Sequence, residues 1–147
     1  MKNFLLAVCL VASIACVLGC EKKPDDIVGF AENDPEILAA KAEAQRRWPE
    51  FVNEFKQRKP EVAYAIKAPF PTKSGSSEHM WVQVTEIQAD KVVGVLDNDP
   101  YQDCGVRRGD TVTVALADVE DWMVADGEIR AGGFSVPAVA KKLKSGG

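Results

Sequence analysis

The stretch that decides the fold is Val112-Thr113-Val114-Ala115-Leu116-Ala117-Asp118-Val119-Glu120-Asp121-Trp122-Met123. Val112 and Val114 alternate with Thr111 and Thr113, which is the period of a strand with one buried face. After the polar Asp118-Val119-Glu120-Asp121 segment, Trp122-Met123-Val124 reads as a further strand. Asp126-Gly127 is a tight-turn signal that returns the chain through Ile129-Arg130-Ala131. Gly132-Gly133 permits a bend before Phe134, and Pro137 to Leu143 suits one or two helical turns.

Working back from this stretch, the alternation recurs. Val92 to Leu96 and about His79 to Ile87 read as strands joined by the short Gln88-Ala89-Asp90-Lys91 turn. Val62, Tyr64, Ile66, Ala68 and Phe70 alternate with Ala63, Ala65 and Lys67, and Pro69 and Pro71 close that strand. Ahead of it lies a helix. Asp34 is placed to cap it, Pro35 suits the first helical position, and Glu36 puts negative charge beside the N-terminal dipole. Ile37, Ala44, Trp48, Phe51, Val52 and Phe55 share one face of this helix. Pro49 lies inside the pattern, so a kink or restart is expected near Trp48. Lys59-Pro60 stops the helix.

The expectation is therefore an α+β domain over residues 34–144: one N-terminal helix, then an antiparallel meander of about six strands. The strands are expected to pair in sequence and to curl into a barrel-like or strongly twisted sheet. Core candidates are Trp81, Trp122, Phe70, Phe134, Val82, Val84, Val95, Val112 and Val114.

The N-terminus carries a different signal. Lys2 precedes the apolar run from Phe4 to Leu18, which is shorter than the ~20 residues of a membrane span. Val17-Leu18-Gly19-Cys20 resembles the lipobox of bacterial lipoproteins, in which the cysteine thiol is acylated and the chain is cut before it. Residues 1–19 are then a signal peptide and 20–33 a charged tether. Cys20 carries the membrane anchor. Glu21, by the same resemblance, points to the outer membrane facing the periplasm. Of the four cysteines only Cys104 remains unassigned, so the mature chain has no internal disulfide. The net charge of −4 argues against a nucleic-acid partner.

Several pieces together suggest a family. Asp34-Pro35-Glu36 opens a helix that contains Trp48-Pro49-Glu50-Phe51, and Glu78-His79-Met80-Trp81-Val82 follows. Then come Val93-Gly94-Val95-Leu96-Asp97-Asn98-Asp99-Pro100, Gly109-Asp110, Asp121-Trp122-Met123 and Gly132-Gly133-Phe134. In this order they resemble bacterial proteins carrying domain of unknown function 2314, also called YegJ-like. The resemblance implies a compact α+β domain and no stated activity.

Two kinds of function remain open. His79 is the only histidine, and Glu78 beside it makes general acid–base chemistry conceivable. A hydrolase or metal-dependent enzyme would use His79 with Glu78, Asp97 or Asp121, provided they converge in one cleft. The opposing expectation for Glu78 and His79 is that they order the loop before a strand. Asp97-Asn98-Asp99 lacks the glycine and glutamate of a calcium loop and suits a self-bonded turn. One histidine and one free cysteine do not make a zinc site. The acids around Trp122 allow a second reading, with Trp122 and Asp121 as an anchor for a partner protein. The contrary expectation makes Trp122 core and the acids solvated. No cofactor is called for. The expected role is binding of a protein or other envelope component.

Overall fold

The computed structural model describes residues 34–145. The expected signal peptide, the tether and the lipidated Cys20 lie outside these residues. Helix α1 spans Pro35–Arg46 and α2 spans Trp48–Lys56. Strands follow as β1 Ala63–Pro71, β2 Ser77–Ile87, β3 Lys91–Leu96 and β4 Thr111–Ala115. A 3-10 turn over Leu116–Asp118 leads to β5 Asp121–Ala125, β6 Ile129–Gly132 and α3 Val136–Ser145.

The N-terminal helix starts as its sequence dictates. The Asp34 carboxylate accepts from the backbone N–H groups of Glu36 and Ile37, at 3.0 and 3.4 Å. It does not continue as one helix. Arg47 leaves helical geometry at φ −97°, ψ 10°, and the chain restarts at Trp48. Pro49 explains the break: it has no N–H to give, and its ring collides with the carbonyl four residues back. At the first turn of a new helix neither costs anything.

The strands form one antiparallel sheet in the order β4-β3-β2-β1-β5-β6. The hairpins β1–β2, β2–β3 and β3–β4 pair in sequence, as expected, but β5 does not join β4. The 3-10 turn carries the chain across the sheet to the free side of β1, where the Glu120 N–H donates to the Lys67 carbonyl at 2.8 Å. The sheet is consequently open, with β4 and β6 as its ends, and is not barrel-like. The single N-terminal helix is likewise corrected to two. α3, at ten residues, exceeds the one or two turns expected of it.

One sheet face carries the main core. Phe51 and Phe55 of α2 lie against Tyr64 and Trp122, with the Phe51 and Trp122 rings 5.5 Å apart. Ile66, Val82, Val92, Leu96 and Val124 complete it, all almost fully buried. Trp122 ties the sheet to the helices as well as filling space. Its indole N–H donates to the Ala44 carbonyl at 2.9 Å, near the end of α1, where carbonyls run out of helical partners. Gly132 makes the following bend possible: at φ +75° its absent Cβ would lie 2.0 Å from the Trp122 carbonyl oxygen. The opposite face carries Lys67, Trp81 and Met123 and is partly roofed by α3. Trp81 and Val95, both expected in the core, lie on this second face and are half-buried.

Candidate functional site

Strand alternation separates the two halves of the expected Glu78-His79 pair, since neighbours in a strand project to opposite faces. Glu78 accepts from the backbone N–H groups of Tyr101 and Gln102 and so orders the loop between β3 and β4. His79, half-exposed, pairs instead with Glu120, Nδ1 to Oε2 at 2.5 Å. Lys41 of α1 lies 3.7 Å from the other Glu120 oxygen. Burial pushes the Glu120 pKa upward, but the hydrogen bond from His79 and the charges of His79, Lys41 and Lys67 outweigh it. The carboxyl is held below its ordinary 4.5.

Asp97 accepts from the Gln83 amide and pairs with Arg108. Asn98 reaches back across the β2–β3 hairpin to accept from the Trp81 N–H at 2.6 Å. The expected self-bonded turn is thus a clasp onto β2. Asp121 is fully buried. One of its oxygens accepts from the N–H groups of Trp122 and Phe134, and the other from the N–H and hydroxyl of Ser135. These bonds, 2.6 to 3.1 Å long, pin the start of α3 onto β5. Glu78, Asp97 and Asp121 therefore do not gather around His79. Among the described residues, no group of three or more histidine, cysteine or acidic side chains is arranged to hold a metal ion.

Trp122, with no exposed surface, is core, and Asp121 is as deeply buried, so neither side chain is at hand as a surface anchor. Cys104 is half-buried, its thiol 3.9 Å from the Phe70 carbonyl. Burial and the nearby charges of Glu78 and Asp103 all raise its pKa, which keeps the sulfur a thiol rather than a reactive thiolate.

Two features were not singled out from sequence. The first is a mainly apolar groove of about 460 Å³ between the α1–α2 junction and the 3-10 turn, lined by Ala44, Trp48, Leu116, Ala117 and Val119 together with the polar Gln45 and Asp90. The second lies on the other sheet face, where the register places Trp81, Lys67 and Asp121 side by side on β2, β1 and β5. A pocket of about 220 Å³ opens there, between Lys67, Trp81 and α3. Burial lowers the Lys67 pKa, opposed by the charges of Asp121 and Glu120. The signal available in the sequence for this second site was a lone lysine between Ile66 and Ala68 in an otherwise apolar strand.

These features define a small α+β domain in which two helices cover one face of an open six-stranded sheet and a third helix crosses the other. The chain belongs to the family described as "Uncharacterized protein conserved in bacteria (DUF2314)", matched over residues 34–146. It is similar to the uncharacterized protein YegJ of Escherichia coli (strain K12), 26% identical over 136 residues, which cover 92% of this chain and 86% of that one. A shorter likeness, 33% over 66 residues, is to a putative ankyrin repeat protein of Neisseria meningitidis serogroup B. It spans 45% of this chain and only 26% of that relative. No solved structure matches.

Proposed function

We propose that this is a lipid-anchored envelope protein whose folded domain binds another envelope protein, seating an apolar segment of that partner in the groove beside Trp48. Cys20 would carry the acyl chains, and residues 20–33 would hold the domain off the outer membrane, facing the periplasm. The observation that supports binding is the groove itself. Its lining is mainly aliphatic and aromatic, with Gln45 and Asp90 as its polar residues, and its volume lies in the range of recognition pockets. The half-buried Trp48 is the kind of residue that dominates interface energetics.

A photo-reactive residue placed at Gln45 or Ala117, both exposed on the groove's rim, tests this in growing cells. One discrete cross-linked product is expected from each position and none from Thr85, on the other sheet face. No product, or equal products from all three positions, would contradict the reading. Anchoring is tested separately by labelled palmitate, which is expected to enter the protein and to be lost in Cys20→Ser.

A further inference from the structure

We infer that the pocket between Lys67, Trp81 and α3 is a binding site for a small monocarboxylate with a short apolar body. The inference begins with an unmet need. Lys67 lies between Ile66 and Ala68, both fully buried, and is itself half-buried. Three other lysines have acceptors, Lys73 in Asp103, Lys141 in Glu36 and Lys41 in Glu120, and Lys56, Lys59 and Lys91 are exposed to water, as Lys67 is not. For the Lys67 ammonium, no hydrogen bond or ion pair occurs among the described residues. Its contact is with the Trp81 ring, 6.0 Å from the ring centre. A partly desolvated ammonium without an acceptor is costly, and a ligand that brings an acceptor relieves the cost.

The neighbouring carboxylates do not supply that acceptor. Asp121 spends both oxygens on four donors, the Trp122 N–H and three at the start of α3, and Glu120 faces His79 and Lys41. Their charges still reach Lys67 and set what it can hold. The two fixed negative charges oppose any anion, but a phosphate dianion meets twice the repulsion of a monoanion, which the ammonium can balance. Apart from Ser135, whose hydroxyl donates to Asp121, the rest of the pocket is apolar. Val136, Val139, Ala140 and Leu143 of α3 face Trp81 across it. A water-sized unit occupies about 30 Å³, so 220 Å³ suits a chain of about seven heavy atoms. A carboxylate on Lys67 and four to six carbons along Trp81 fill that description. This site lies on the sheet face away from the apolar groove, so either can fail without the other.

Hexanoate, with hexanamide, acetate and inorganic phosphate for comparison, is the probe. It would be titrated into the full chain while the three tryptophan indole N–H resonances are followed. Hexanoate is expected to shift Trp81 and to leave Trp122, bonded to Ala44, in place. Hexanamide and phosphate should bind at least tenfold more weakly. Lys67→Met should weaken hexanoate at least tenfold, and Lys67→Arg should retain it. Leu143→Ser, at an exposed position, should weaken hexanoate several-fold and leave acetate unchanged. The inference is overturned if hexanamide equals hexanoate, if phosphate matches it, or if Trp48 shifts in place of Trp81. Should Lys67→Met not fold, the amide comparison and Leu143→Ser decide the matter on their own.

Discussion

Glu120 and Asp121 are neighbours in the chain and carry the same chemical group, yet they belong to different regions of the molecule. Asp121 is sealed inside, four donors around it, and joins β5 to the helix that roofs the second sheet face. Glu120 is at the margin, shared by His79 and Lys41 from two other elements. The difference comes from the sheet. β5 begins between the two residues, and pairing Asp121 with Lys67 turns its side chain beneath α3. A buried carboxylate with every lone pair engaged holds structure, and one at the margin is free to tune a site.

The largest effects should come from breaking the interior region. Trp122→Ala removes the central ring of the core and the bond to Ala44, and should cost about 3–5 kcal/mol in urea unfolding. Asp121→Asn puts an amide donor against N–H donors and should cost about 3 kcal/mol. At the margin, Glu120→Gln should cost only about 0.5–1 kcal/mol at neutral pH, because His79 is half-exposed.

That smaller effect has a pH signature. Since the folded Glu120 pKa lies below 4.5, its contribution is complete above that pH and is lost as pH falls through the lowered value. The stability gap between Glu120→Gln and the parent protein should therefore close in acid. Lys67 carries the opposite sign of cost. Its folded pKa lies below the ordinary 10.5, so stability should rise as pH climbs from the lowered value to 10.5. Lys67→Met should raise the unfolding midpoint slightly, as expected where a buried charge serves binding rather than folding. Smallest of all, Lys141→Ala breaks an exposed pair with Glu36 and should leave the midpoint within error.

Local signals read well from sequence because their causes are local. Asp34-Pro35-Glu36 marked the helix start, Pro49 its interruption, and residue alternation together with turn signals such as Asp126-Gly127 the six strands. What failed was nonlocal. Nothing in Leu116-Ala117-Asp118 tells whether the chain turns back to β4 or crosses to β1, and that choice made the sheet open. It also chose the site's partners. In the sequence His79 has Glu78 as its neighbour, but period-two alternation puts the two on opposite faces. Glu120, 41 residues away, arrives only because β5 docks on β1. Lys67 looked like an ordinary polar position of an alternating strand. Its environment depends on a C-terminal helix whose docking rests on the buried Asp121 carboxylate.

That carboxylate offers the most direct test. Amide hydrogen exchange at Phe134 and Ser135 should be as slow as in the β1–β5 core of the parent protein. In Asp121→Asn it should speed up together with the α3 amides, while β2 and β3 stay protected. Unchanged protection of Phe134 and Ser135 in that variant would contradict the account.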